Sequence, residues 1–582
     1  MSLTLTKVSS AASASINADR STPGSAGTPS PEVTTSRPQC QATPATTDHR
    51  FDAAFNTQRS YGGGSCVAPH HLAANAGRDV LKQGGNAIEA MVAAAATIAV
   101  SYPHMNALGG DGFWLIHEPG KQPVAIDACG CAAQLATPGF YAGEASIPER
   151  GPEAALTMAG TVSGWQKALD IGATWSTPLP LGTLLEDAIR HAEQGIAVSR
   201  SQAALTRKHL ERLSQAPGFN DTFLIHGEAP LEGQRLRQPR LGATLRRLAQ
   251  AGLDDFYRGD LARSMARDLE SLGSPLRLQD FHGYQAQVVT PLEVTLKEAT
   301  LYNLPAPTQG MASLMILALY DRLGVETGEG FAHLHGLIEA TKRAFLLRDR
   351  YITDPERMTI ALQTLLESDR LDHEASMIDP QRAMAWPHTP EPGDTIWMGT
   401  VDSEGRSVSF IQSLYWEFGS GVVLPESGVL WQNRGIGFSL DPASPRNLAP
   451  GRKPFHTLNP ALARFTDGRT MVYGTMGGEG QPQTQAAIFS RYAMHGMPLQ
   501  QAIAAPRWLL GRTWGDHSTN LKLESRIYTP LVNALEQAGH DVEVLKEAFT
   551  DTMGHAGAIV HHPDGLIESA HDPRSDGGAA SL

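Results

Sequence analysis

Hydrophobic and polar positions divide this chain into stretches of different period. Residues 72–81 repeat apolar positions at helical spacing, Gly84 and Gly85 stop that pattern, and a second helical run follows. Asn86 stands where its side chain can accept the first free N–H groups of that second helix, which predicts a cap. Residues 90–100 are the longest nearly unbroken apolar run, too short to span a bilayer, and predict a buried helix. A Gly-rich turn over 106–112 leads into the apolar strand that begins at Phe113, and a further strand is expected over 125–131. Between 180 and 300, amphipathic patterns such as 181–194 and 241–251 alternate with short loops and read as scaffold. Residues 366–394 are polar and Pro-rich and read as a flexible tail. From Ile396 onward β-formers flank Asp402, Ser403, Glu404 and Gly405, which predicts a hairpin whose Gly supplies the positive φ of a tight connection. Thr395 opens the first strand of that hairpin.

Composition narrows the class. With 582 residues and 41% hydrophobic content there is ample material for a large core, and length alone does not separate one domain from several. A net charge of −13 without a Lys/Arg-rich run argues against nucleic acid as a partner. Cysteines at 40, 66, 129 and 131 are too few and too uneven for a disulfide framework, so reduced thiols are expected. Residues 1–50 are rich in Ser, Thr, Ala and Pro with no hydrophobic period, which predicts a disordered tail. No apolar stretch follows Lys7 as a secretory signal would require, so the expected location is the cytoplasm, with no membrane partner.

Four places could carry chemistry. Thr395 is either an ordinary β-former or a nucleophile: its hydroxyl could attack the carbonyl of Asp394, pass through an ester and let water split the chain. The freed α-amine, with a reference pKa of about 7.7–8.0, would then serve as the base for its own hydroxyl. The turn over 474–483, with Gly477 and Gly478 side by side, is either a plain strand-to-helix turn or a pair of backbone donors for an oxyanion. His335 and Glu339, four apart on one helical face, could ligate a metal but read better as a structural pair, and no metal or other cofactor is expected. Phosphate binding at 106–112 is a weak alternative, since no Lys-Ser/Thr follows the glycines.

From about residue 62 to the C-terminus the chain resembles the gamma-glutamyltransferase family of N-terminal-nucleophile hydrolases. The resemblance rests on Thr395, Val401 and Asp402 at the start of the family's second subunit, on Phe418, Gly419, Ser420 and Gly421, on Glu426, Ser427 and Gly428, and on the Gly84-Gly85-Asn86-Ala87 segment. It implies an α+β fold, a four-layer αββα sandwich. One such domain would be built from a large segment, 51–394, and a small segment, 395–582, associated as a heterodimer after cleavage between Asp394 and Thr395 and possibly paired again as a dimer of heterodimers.

The same resemblance assigns roles. Thr395 becomes the nucleophile, Ser413 the hydroxyl partner of its amine, and Gly477 and Gly478 the oxyanion donors. Tyr415, Gly437, His456 and Thr457 stand where the family shows Asn, Asp, Ser and Ser, which address the γ-glutamyl amino acid. Gly437 cannot hold an ammonium as that Asp does. Cys129 stands where the family's Arg holds the substrate carboxylate, and a thiol cannot replace a guanidinium fork. An ordinary γ-glutamyl donor is therefore disfavoured. The segments around Gln412, Val422, Gln432 and Gly477 resemble the oxamate amidohydrolase subgroup, which acts on a small amide bearing a carboxylate. Arg434 is then either a scaffold arginine or the substitute carboxylate clamp, with His456 next in line. A gamma-glutamyltransferase or glutathione hydrolase is the second reading, a catalytically inactive binding protein of this family another, and cephalosporin-acylase activity a distant one.

Overall fold

The computed structural model describes residues 57–386, 394–511 and 519–582. The tail expected over 1–50, with Cys40, and residues 387–393 before the expected cleavage point lie outside the described residues.

Two seven-stranded sheets organise the described chain. In the first the strand order is Gln58–Tyr61, Leu566–His571, Ala556–His561, Thr470–Thr475, Ala461–Phe465, Ala299–Asn303 and Leu292–Thr295. In the second it is Gly578–Ser581, Gly64–Ala68, Asp394–Asp402, Ser407–Tyr415, Asp111–His117, Val124–Ala128 and Gln287–Val289. Every neighbouring pair in both sheets is antiparallel. The expected hairpin is Asp394–Asp402 paired with Ser407–Tyr415, turned at Gly405 with φ +74°.

Alternation along these strands sorts their side chains. Ile396, Met398, Val408, Phe410 and Leu414 join the apolar cluster that includes the helix Ala87–Ser101. Trp397, Val401 and Ile411, from the opposite face, join Phe113 and Leu115 and meet Leu462, Val472 and Ile559 of the first sheet. The indole of Trp397 lies where glycine alone fits: a Cβ on Gly474 or Gly557 would come within 2.2 Å or 2.5 Å of its ring. A third cluster joins Leu301, Ala463 and Tyr473 of the first sheet to the helices Gly310–Leu323, Phe331–Tyr351 and Gly480–Phe489.

The predicted cap is present. Asn86 Oδ1 accepts the amides of Ile88 and Glu89 at 3.0 and 3.1 Å, and Glu89 Oε2 accepts the Asn86 amide at 2.8 Å, a reciprocal capping box. The same helix end holds the hairpin: Asp402 Oδ2 accepts the Ala87 amide at 3.1 Å and Thr400 Oγ1 donates to the Ala87 carbonyl at 2.7 Å. A carboxylate at a helix N-terminus is favoured by the exposed N–H groups and the dipole.

The stretch read as a flexible tail is not one as far as residue 386. Ser368–Ser376 is a helix that buries Leu371 and Glu374, and Glu374 is paired with Arg343 and Arg370. Beyond it, Lys342 Nζ donates to the Met384 carbonyl at 2.7 Å and Glu339 Oε2 accepts the Met384 amide at 3.0 Å. The buried ion pair of Glu374 anchors this stretch, while most of its other polar side chains face solvent. Among the described residues Cys66, Cys129 and Cys131 are free thiols, and no helix is long and apolar enough to cross a membrane.

Candidate active site

Period two carries Thr395 and Ser413 to the same face as Trp397 and Ile411, the face turned toward the first sheet. Thr395 is fully buried and sits at a register shift in the hairpin, between Asp394 and Ile396. Its Oγ1 donates to Ser413 Oγ at 3.4 Å and accepts Gln481 Nε2 at 3.3 Å. Ser413 Oγ also accepts the Tyr415 amide at 2.8 Å, because Tyr415 turns back with φ +83°, a conformation costly for a bulky L-residue.

Gln481 ties Thr395 to the Gly-rich turn. It lies in the first turn of the helix Gly480–Phe489, and its amide donates to the Gly478 carbonyl at 3.3 Å. Gly477 and Gly478 both have positive φ, +116° and +54°, which glycine adopts without steric cost. A buried frame sets the turn: Gln309 Nε2 donates to the carbonyls of Gly478 at 2.8 Å and Thr457 at 2.7 Å, and Arg348 reaches Gln309 Oε1 at 3.1 Å and Glu479 Oε1 at 2.6 Å. Sequence reasoning passed over Gln309, Arg348 and Gln481 as site-forming residues. Gln481 was legible in the Gly-Gly-Glu-Gly-Gln run, whereas Arg348 shows only through tertiary contact.

The other candidates gather on the loops beside this row. Arg434 begins the short helix Arg434–Gly437, is 1% exposed, donates to Thr457 Oγ1 at 3.4 Å and places its guanidinium carbon 3.7 Å from the Tyr415 ring centroid. Such a stack is a cation–π contact. Tyr415 and Gly437 also line a surface groove of about 280 Å³. His456 is fully buried, with Nε2 3.1 Å from Asp111 Oδ2. Asp111 pairs directly across from Ser413 in the sheet, a placement sequence reasoning missed although the Gly-Gly-Asp-Gly turn marks it. Burial pushes the Asp111 carboxyl up to about 7, against the opposing pull of the Gly130 amide, Arg434 and Gln432. Burial, with Arg434 and Lys453, holds the His456 imidazole well below its usual range. Burial and the neighbouring Asp111 and Asp127 raise the Cys129 thiol well above its ordinary range, which disfavours the thiolate.

Two clusters of metal-type donors occur among the described residues, Asp111 with Cys129 and His456, and His335 with Glu339 and His540. In the first, Asp111 is occupied by N–H donors and the Arg434 charge opposes a cation. In the second, His540 supplies a third donor that spacing alone did not nominate. There His335 Nδ1 lies 2.9 Å from His540 Nε2, His335 Nε2 donates to the Asp379 carbonyl at 2.8 Å, and Lys342 Nζ sits 2.7 Å from Glu339 Oε1. An ammonium on the carboxylate makes this a structural network in place of a cation site.

A family model described as Gamma-glutamyltranspeptidase matches residues 73–582. The oxamate amidohydrolase proenzyme of Klebsiella pneumoniae is 56% identical over 518 residues, covering 89% of this chain and 98% of its own length. The glutathione hydrolase-like YwrD proenzyme of Bacillus subtilis is 39% identical over 521 residues, covering 89% and 98%. A cephalosporin acylase of Bacillus halodurans has a similar structure, with TM-score 0.82 at 30% identity, over 93% of this chain and 98% of that one. The chain is thus an enzyme of the gamma-glutamyltranspeptidase family, with amidohydrolases and glutathione hydrolases among its relatives.

Proposed function

We propose that this enzyme is a self-processing amidohydrolase whose nucleophile is Thr395 and whose substrate is a small amide bearing a carboxylate, of the oxamate kind. The observation that carries the reading is the contact set of Thr395 Oγ1. That oxygen lies between Ser413 Oγ and Gln481 Nε2, and Gln481 follows directly on the Gly477–Gly478 turn. The name of the Klebsiella relative supports both the processing, through the word proenzyme, and the substrate. We read the two facing sheets and their flanking helices as the four-layer αββα sandwich, formed jointly by 51–394 and 395–582.

In this reading Thr395 Oγ1 attacks the Asp394 carbonyl, the peptide becomes an ester, and water releases Asp394 as a new C-terminus and Thr395 as a new N-terminus. The α-amine then takes the hydroxyl proton as Oγ1 attacks the substrate amide. The amides of Gly477 and Gly478, which find no acceptor among the described residues, stabilise the tetrahedral oxyanion. Collapse expels ammonia, which leaves with the proton, and water hydrolyses the acyl-threonine to the dicarboxylate. Arg434 clamps the substrate carboxylate, with Tyr415 stacked on its face and Thr457 fixing one of its nitrogens. His456 completes the pocket.

The test is mass spectrometry of purified protein joined to an activity screen. Fragments of 394 and 188 residues are expected, with turnover of oxamate well above that of glutathione or γ-glutamyl-p-nitroanilide. Thr395→Ala should stop both cleavage and turnover, while Thr395→Ser keeps part of each. An intact, native and active chain would sink the nucleophile; faster turnover of glutathione would instead favour the glutathione hydrolase reading.

A further inference from the structure

Asp111 is engaged through both of its carboxylate oxygens. Its Oδ1 accepts the amides of Gly130 at 2.9 Å and Gly160 at 3.2 Å and the Gln432 side-chain amide at 3.0 Å, and its Oδ2 faces His456 Nε2 at 3.1 Å. Each carboxylate oxygen offers about two lone-pair sites, so Oδ1 is saturated, and Oδ2 is the oxygen that meets His456. That Oδ2 contact links Asp111 to the residues around Arg434.

An ionised carboxylate only accepts, so the hydrogen in the Asp111–His456 contact belongs to Nε2. Three N–H donors on Oδ1 and the nearby guanidinium of Arg434 favour that ionised form and oppose the effect of burial. The second imidazole nitrogen, Nδ1, is then a lone-pair acceptor. It is buried and meets no donor among the described residues. Backbone bonds hold the ring in place from both sides, since the His456 amide donates to Pro307 and its carbonyl accepts from Gln309. The edge of Phe113 packs against it with ring centroids 4.8 Å apart. The next residue, Thr457, carries the hydroxyl that Arg434 bonds. The Arg434 guanidinium thus donates to the residue that follows the imidazole in sequence.

We propose that Asp111 is a positioning residue that fixes His456 as a hydrogen-bond acceptor, so that the pocket reads the N–H of a primary amide at Nδ1 and its carboxylate at Arg434. The inference rests on the amidohydrolase reading for its substrate but not for its tautomer. A site built to accept an N–H discriminates against the analogue that lacks it, because the buried acceptor is left unpaired.

Two measurements test it. Nitrogen-15 NMR of histidine-labelled, processed protein, with the His456 signals assigned by difference from His456→Leu, should show a protonated Nε2 and a bare Nδ1. The Nδ1–H tautomer or a doubly protonated ring overturns the proposal whatever the substrate. The second compares kcat/KM for oxamate with that for the monomethyl ester of oxalate, in which oxygen replaces the N–H group. In Asp111→Asn and His456→Leu the amide-to-ester ratio should fall about 3- to 10-fold, the range of one neutral hydrogen bond. Equal loss on both substrates makes Asp111 scaffold and overturns the proposal. The expected tautomer with no turnover of either compound counts against the substrate reading alone, and the same ratio is then taken with γ-glutamyl amides and esters.

Discussion

Arg434 is a buried guanidinium, and in the proposed reading substrate choice turns on it. Arg434 stacks on Tyr415 and bonds Thr457, and a charge-assisted contact from such a group is worth about 1.5–3 kcal/mol. Arg434→Met should lower kcat/KM for an anionic amide roughly 10- to 150-fold while self-cleavage proceeds, as steady-state kinetics and fragment masses will show. Parental kinetics in the variant would return Arg434 to the scaffold. Thr395, Ser413, Gly477 and Gly478 were nominated through the family resemblance, since a strand-opening Thr or a Gly-Gly turn reads equally well as plain structure. Asp111 and Gln309 were not, since their partners His456, Gly478 and Thr457 lie more than a hundred residues away and no local period links them.

At the scale of elements, the helix Phe331–Tyr351 reaches the residue that follows the Gly477–Gly478 turn through Arg348. Arg348 and Glu479 are both buried and lie 2.6 Å apart. Removing one partner of such a pair leaves an uncompensated charge and costs about 3–5 kcal/mol. Arg348→Met should therefore lower the melting temperature and, by loosening the turn that would hold the oxyanion, reduce kcat more than it raises KM. A stable variant with unchanged kcat would show that the turn holds itself. The hairpin and the capped helix Ala87–Ser101 follow from period and cap chemistry, so sequence reasoning found both. The helix Ser368–Ser376 escaped it because its anchoring uses Glu374 against Arg343 and Arg370, and polar residues that pair in a fold look, in sequence, like residues that face water.

Across the whole molecule, acid sensitivity should centre on the buried group near the C-terminus. Burial raises the Asp572 carboxyl, but Arg507, Arg574 and the amides of Ala556 and Arg574 more than offset it and leave it well below the usual carboxylate range. A depressed folded pKa contributes stability that is present above the unfolded value of about 3.9 and is lost as pH falls toward the folded one. Thermal melts should show that loss setting in below about pH 4. Asp572→Asn should be less stable near neutrality and show a flatter acid limb; an unchanged limb would assign the acid loss to other carboxylates. The sheet order carries a further consequence. Gly64–Ala68, from the large segment, lies between Gly578–Ser581 and Asp394–Asp402 of the small one, and in the other sheet Gln58–Tyr61 and Ala299–Asn303 enclose four strands of the small segment. Neither piece owns a complete sheet. In the cleaved form proposed above, the pieces are interlaced like fingers, so heavy-isotope and light enzyme mixed under native conditions should never trade fragments, and dilution should not part them.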